Sequence, residues 1–383
     1  MAKVFLKDVV QRIKDNVDKD NTQLEYYIGG EHFDSGEIRI TKKGVIKGST
    51  IGPAFHMRFQ PRDVLLMSRN PHLKKAGVVD FEGICSDVSY VCRTKNEQIL
   101  IQDFLPFIFQ TNSFWDFAEA NKKGSTNFFL NWSDFEKYEF ELPSIEKQKM
   151  LADLLWSIID VKYSYKKLYT KSNELIQSRF IEMFGAFPDN PKGWECCTIR
   201  DIVKEVRYGS SRPAVEGGQY PYLRMNNITY EGTLDLSEIK YIDVPEKELE
   251  KCTVRKGDVL FNRTNSKELV GKTCLYDRDE SMVLAGFIIR VRVNEKVVPE
   301  FLVAFLNMDF SKKMLFNKCK AAIGQANINA QELQDIEIYL PPLALQKEFV
   351  SLKYQVDKSK LALQESLDKL EKLQKALIKK YLG

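Results

Sequence analysis

The chain repeats itself. Leu142-Pro143-Ser144-Ile145-Glu146-Lys147-Gln148 returns 198 positions later as Leu340-Pro341-Pro342-Leu343-Ala344-Leu345-Gln346. Each version opens a long helical pattern that ends on a glycine, Gly185 or Gly383, again 198 apart. The register extends upstream: Gly124-Ser125-Thr126-Asn127-Phe128 answers Gly324-Gln325-Ala326-Asn327-Ile328, and Asp63-Val64-Leu65-Leu66 answers Asp258-Val259-Leu260-Phe261. Leu6-Lys7-Asp8-Val9-Val10 likewise answers Ile199-Arg200-Asp201-Ile202-Val203. A repeat this long marks a duplicated structural unit, and 383 residues exceed what one core usually holds.

The order implied is globule, helix, globule, helix: a first domain over 1–142, a central long helix over 143–185, a second domain over 186–340 and a C-terminal long helix over 341–383. Asp189-Asn190-Pro191-Lys192-Gly193 reads as the joining loop. Runs such as 254–261 and 282–293 are rich in β-branched and aromatic residues between turn formers, and 300–317 reads as helix after Pro299, so mixed α/β globules are expected. In the last segment Phe349, Val356, Leu363, Leu370 and Leu377 fall seven apart, with Leu352, Leu367 and Leu373 near the second seam position; Leu154, Val161, Leu168 and Leu175 repeat likewise in the central one. A seven-residue apolar period predicts a coiled-coil seam, interrupted here by Ser172, Ser359 and Ser366. The expected fold class is α+β: two mixed α/β domains separated by two long helices that form an antiparallel coiled coil or one face of an ordinary bundle, with the repeat implying an internal pseudo-twofold. A helix of about 40 residues measures roughly 60 Å and acts as a ruler.

Composition excludes several functions. No apolar run approaches the roughly 20 residues that span a bilayer, and the charged start Met1-Ala2-Lys3-Val4-Phe5-Leu6-Lys7-Asp8 does not read as a signal peptide, so a cytoplasmic protein is expected. Seven cysteines without a CxxC pair argue against a disulfide framework or a tetrathiolate zinc site, and His32, His56 and His72 lack metal-ligand spacing. No metal is expected. The net charge of +4 comes wholly from 343–383, where nine lysines face five acids, so any nucleic-acid contact must come from local patches.

Catalytic motifs are incomplete. Val270-Gly271-Lys272-Thr273 resembles the end of a phosphate loop, but Ser266 stands where the leading glycine belongs. Asn70-Pro71-His72-Leu73 lacks the second proline and the aromatic of an adenine methyltransferase, and no Gly-rich cofactor loop accompanies it. The chain is expected not to be an enzyme.

Reading bases requires Arg, Lys, Asn, Gln and small hydroxyls on rigid supports. The second domain offers Arg207, Ser210, Ser211 and Arg212; Arg224, Asn226 and Asn227; Arg263, Asn265 and Lys267. The first offers Lys42, Lys43 and Lys47, then Arg69, Asn70, His72 and Lys74. The paired Gly-x-x-Asn loops add Ser125 and Asn127, and Gln325 and Asn327. Arg69 and Arg263 each follow the matched Asp-Val-Leu strands, so both units project a basic polar loop from one structural place.

The duplicated Leu-Pro-x-x-x-x-Gln at a helix start, the paired Asp-Val-Leu strands and the unit start Trp194-x-x-x-x-Ile199-x-Asp201-Ile202 resemble the DNA-specificity subunit of type I restriction-modification systems. The resemblance covers essentially the whole chain, and its order, twice repeated, is more specific than any single motif. It implies two target-recognition domains, each reading half of a split site in double-stranded DNA, and helices that set the gap. It further implies as partners two adenine-methylating modification subunits and motor-nuclease restriction subunits, which would carry S-adenosylmethionine, ATP and magnesium. Ser144 stands where the second copy has a proline, and the first unit lacks the opening tryptophan. A coiled-coil protein scaffold without its own DNA readout is the alternative; it explains the helices but not the matched Arg/Asn loops.

Overall fold

Both copies of the Leu-Pro motif end a short antiparallel ladder. In the computed structural model, which describes residues 2–322 and 325–383, Ala2–Phe5 pairs with Glu139–Leu142, Ala2 opposite Leu142. In the second copy Glu195–Thr198 pairs with Glu337–Leu340, Glu195 opposite Leu340. The first and last strands of each globule are therefore hydrogen-bonded neighbours, and a long helix leaves directly from each ladder.

Between the ladder strands both globules build the same two sheets. One is antiparallel, ordered Val10–Ile13, Ser89–Thr94, Val64–Met67, Ala76–Val78 in the first globule and Val203–Tyr208, Ile288–Val293, Val259–Asn262, Thr273–Leu275 in the second. The other contains one parallel pair, Tyr26–Ile28 with Gly83–Ser86 and Tyr220–Leu223 with Met282–Leu284. The matched aspartates explain the Asp-Val-Leu motif: Gln60 N donates to Asp63 at 2.7 Å and Arg255 N to Asp258 at 2.9 Å, closing the turn before the strand. Each buried carboxylate then binds an arginine of the adjacent strand, Arg93 on Asp63 and Arg292 on Asp258. The hydrogen bond each arginine donates to its aspartate raises the arginine's pKa. A buried carboxylate is tolerated here because it is both paired and hydrogen-bonded.

The long helices run Ile145–Phe184 and Leu343–Leu382. The first stops at Gly185, whose φ of 90° is the left-handed conformation that glycine adopts without penalty at a helix end. At the other end, the motif glutamine is a buried latch. Gln148 Nε2 donates to the carbonyls of Ile99 and Pro143, and its Oε1 accepts from Ile101 N. Gln346 repeats this with Lys296, Pro341 and Val298. An amide side chain is needed at this position, because one group must donate twice and accept once.

The chain divides into two compact units, Met1–Lys166 with Gln364–Gly383, and Lys167–Leu363, so each holds one globule and half of either helix. In the first unit, Lys147 lies over the Tyr381 ring and Lys162 Nζ donates to Gln374 Oε1 at 2.9 Å. In the second, Lys360 lies over Tyr169, and Phe349 packs on Phe180 and Phe184. Within each unit the helices are thus antiparallel. The core of the first unit joins Leu66, Phe104, Phe114 and Phe135 to Leu151, Leu155, Ile159 and Ile378, with Leu377, Tyr381 and Leu382 against it. The core of the second joins Phe261, Ile289, Phe301 and Phe305 to Ile176, Phe180, Phe184 and Phe349.

The helix seam differs from the one read in the sequence. On the C-terminal helix Phe349 is buried, and Val356, Leu363, Leu370 and Leu377 are half-buried, as are Leu352 and Leu367. Leu373, at 47% exposure, is turned out. On the central helix Leu154, Val161, Leu168 and Leu175 are 39–52% exposed and do not form the seam. The inward face carries Ala152, Leu155, Ile159, Lys162, Tyr169, Ile176 and Phe180. The central helix has apolar residues on two faces, and the inward one is broken by Lys162 and Tyr169, so the more regular apolar stripe is the exposed one. Burial lowers the pKa of Lys162, and likewise of Lys360, its counterpart 198 residues on.

Among the described residues no helix is long and apolar enough to cross a membrane, and no cluster of side chains suits a metal ion. Five cysteines are buried, Cys197 is half-buried and Cys196 exposed; all are free thiols.

Candidate nucleic-acid interface

In the second unit three separate segments meet around Arg263. The strand Val259–Asn262 ends there, and its backbone is clamped on both sides: Arg263 N donates to the Phe287 carbonyl at 3.0 Å, and Ile328 N donates to the Arg263 carbonyl at 2.9 Å. The next residue, Thr264, pairs with Asn327, and its hydroxyl lies 2.9 Å from Asn327 Oδ1. The Arg263 guanidinium stacks 4.9 Å from the centre of the Tyr208 ring, and the Tyr208 hydroxyl accepts from Ala330 N. Ser210 belongs to the same place, since its carbonyl accepts from Gly286 N at 2.7 Å. This close approach requires Gly209, where an added Cβ would lie 2.2 Å from the Leu284 carbonyl oxygen. Ser211, Asn265 and Asn327 remain wholly or partly accessible at this surface.

Arg263 has no carboxylate within ion-pair distance among the described residues, and its buried Nε has no hydrogen-bond partner. Most cations nearby are engaged. Arg207 pairs with Glu205, and Arg212 binds Glu248 through Nε and Nη2 at 3.2 and 2.9 Å, a contact that raises its pKa. Lys267 lies over Phe316. Arg224 Nη2 reaches only the Glu238 carbonyl at 3.5 Å, and Asn226 is exposed. Asn227 is corrected: at 2% exposure its Oδ1 accepts from Arg224 N and its Nδ2 donates to the Asp235 carbonyl, so it holds a turn and cannot touch DNA. Gly324 and the side chain of Gln325 lie outside the described residues.

The first unit repeats the arrangement with different side chains. Ser68 N donates to the Val88 carbonyl and Leu130 N to the Ser68 carbonyl, the same two clamps that hold Arg263. Arg69 bridges Phe129, as Thr264 bridges Asn327. The basic loops thus spring from one structural place, but Ser68 is the counterpart of Arg263, and Arg69 that of Thr264. Arg69 is exposed, with no carboxylate within ion-pair distance among the described residues, next to Asn70 in the left-handed region at φ 51°. His72, Ser125 and Asn127 are exposed on adjoining loops, and Lys74 Nζ donates to Asn112. The structure does not join Lys42, Lys43 and Lys47 to this group by any contact: Lys42 pairs with Asp34, Lys43 lies over Tyr26 and Phe81, and Lys47 is exposed.

The family described as type I restriction modification DNA specificity domain matches residues 191–375. The EcoKI specificity subunit of Escherichia coli K12 is 20% identical over 337 residues, covering 83% of this chain and 71% of that protein. The S subunit from M. genitalium superposes with a TM-score of 0.61 at 14% identity, covering 100% and 96% of the two chains. Residues 191–375 carry the type I DNA-specificity domain, and the chain as a whole is similar to type I specificity subunits in sequence and in fold. A putative MjaX specificity subunit of Methanocaldococcus jannaschii is 27% identical over 194 residues, and the chain spans 45% of that protein's length. A chain solved in work on complex assembly and conformational transition of the type I R-M system superposes with a TM-score of 0.56 at 20% identity, over 99% of this chain and 96% of that one.

In this chain, sequence reasoning missed two features of the site. Phe287, 53% exposed at the turn touching Arg263, carried no signal because an aromatic between two strands reads as core. The latch glutamines were visible as motif letters, yet their partners, Ile99 to Ile101 and Lys296 to Val298, lie almost 50 residues upstream.

Proposed function

We propose that the chain is the non-catalytic, cytoplasmic reader of a bipartite DNA site: each unit recognises one half-site, the paired helices set the spacer, and adenine-methylating modification subunits dock on the helices. S-adenosylmethionine, ATP and magnesium belong to those modification subunits and to motor-nuclease restriction subunits. The observation that carries the reading is the loop cluster repeated in both globules, with a cation free of carboxylates, Arg263 or Arg69, at the end of the same strand or one residue beyond. Such a cation on a doubly clamped backbone suits a base edge or phosphate. The exposed apolar residues of the central helix, Leu154 and Val161 in one unit and Leu168 and Leu175 in the other, supply a face for helical partners.

The test is adenine methylation mapped across DNA in cells carrying the chain and its modification partner. A split, asymmetric motif is expected. Arg263→Ala should relax one half and Arg69→Ala the other, each by about 1–3 kcal/mol for a base contact. A motif unchanged by both substitutions would remove these loops from the interface, and turnover by the chain without partners would reject the non-catalytic assignment.

A further inference from the structure

Three exposed aromatic side chains of the second unit carry a cation. Arg263 lies 4.9 Å from Tyr208, Lys267 4.3 Å from Phe316 and Lys312 3.6 Å from Tyr230. Phe287, at 53% exposure, has no cation and no ring partner among the described residues. Its backbone is nonetheless among the best fixed at this surface. Its carbonyl accepts from Arg263 N, Gly286 N donates to the Ser210 carbonyl, and Ile288 N donates to the Ala285 carbonyl at 2.9 Å. The ring therefore stands on a rigid turn, bare, between a glycine and a strand, with the unpaired Arg263 as its hydrogen-bonded neighbour.

Resting on the function proposed above, we infer that Arg263 and Phe287 form a two-residue reader in the major groove, Arg263 taking a guanine and Phe287 the 5-methyl group of a thymine on the adjoining base pair. An arginine with free Nη groups matches guanine O6 and N7, and the thymine methyl is the one apolar feature of the major groove that a bare ring can cover. Their backbones share a hydrogen bond, a separation compatible with neighbouring base pairs. Tyr208 fixes the guanidinium plane by stacking, which orients the fork before DNA arrives. The first unit has Ser68 and Val88 in these two places, so this reader belongs to one half-site alone.

The experiment uses the full chain with its modification partner and duplexes carrying the mapped site. Each thymine of the second half-site is replaced in turn by deoxyuridine, and each guanine by 7-deazaguanine, and binding is measured by competition. One thymine is expected to respond, its replacement weakening binding about fourfold, the value of one buried methyl group. The same replacement should have no effect with Phe287→Ala. The guanine beside it should lose about 5- to 150-fold on 7-deaza substitution, as for a mismatched base pair, and nothing further with Arg263→Ala. The inference is overturned by any of three results: no deoxyuridine-sensitive thymine next to an Arg263-dependent guanine, losses from Phe287→Ala and deoxyuridine that multiply, or a Phe287→Ala variant that weakens assembly with the modification partner instead. A wild-type complex without sequence preference would reject the proposed function itself, a distinct outcome. Because the ring is more than half exposed, Phe287→Ala should melt as the wild type does; a lowered melting temperature would count against a ring free to meet DNA.

Discussion

Ile378 lies five residues from the end of the chain, yet it is 9% exposed in a core with Phe114, Leu151 and Leu155. Ile378→Ala removes three carbons, worth about 2.4 kcal/mol at ~0.8 kcal/mol per buried carbon. Its slight exposure trims that figure, and the cavity left behind adds to it, so about 2–3 kcal/mol is expected. The loss should fall on the first unit. Hydrogen exchange followed by mass spectrometry reads this directly: protected amides of the first globule should exchange roughly 60-fold faster, at 1.36 kcal/mol per factor of ten. Peptides from 195–340 should be unchanged. The reasoning fails if the first globule keeps its protection, or if the second globule, which precedes Ile378 more closely in sequence, loses its own. Phe180→Ala supplies the reciprocal: this fully buried ring touches Phe184, Phe301 and Phe349, and its loss should cost the second unit about 3–5 kcal/mol.

Gln346→Leu should destabilise the second unit by about 3 kcal/mol or more, because Val298 N and the carbonyls of Lys296 and Pro341 lose their partner at about 1–3 kcal/mol each; urea unfolding measures it, and a cost below 1 kcal/mol would refute the latch. Burial would raise the Glu205 pKa, but the hydrogen bond from Arg207 and the charges of Arg290 and Arg292 outweigh it and hold it below 4.5. A depressed carboxylate contributes stability that is present above its unfolded pKa and lost as pH falls through the folded one. The second unit should therefore weaken as pH falls below the ordinary glutamate range, and Glu205→Gln should flatten that dependence in urea titrations at several pH values. A fragment of residues 1–185 should self-associate and, with its modification partner, methylate an interrupted palindrome, because Phe180 is the repeat counterpart of Ile378 and can fill its place in a second copy; light scattering that finds a monomer at micromolar concentration rejects this.

The duplication was legible because its markers are backbone devices: a proline-led helix start, a terminal glycine, and an aspartate closing the turn before a strand. The orientation of the central helix was not. Leu154, Val161, Leu168 and Leu175 form a cleaner seven-residue series than the residues that face inward, and periodicity alone cannot tell a buried stripe from an exposed one. The site was half legible. The loops after Asp63 and Asp258 do adjoin the Gly-x-x-Asn loops, through Arg69 with Phe129 and Thr264 with Asn327. Which residues were free to act depended on partners distant in sequence: Glu248 occupies Arg212 from 36 positions away, and Asp235 holds the amide of Asn227.

The closing ladders have a consequence for how such a protein can change. With Ala2 opposite Leu142, and Glu195 opposite Leu340, everything between the two strands leaves and returns at one doorway. A cassette with that entrance can be exchanged for another of different length and content, provided it keeps the ladder, the glutamine's backbone partners and the surface that receives the far helix end. Specificity could then change wholesale by transplantation, while the helical frame stays as it was.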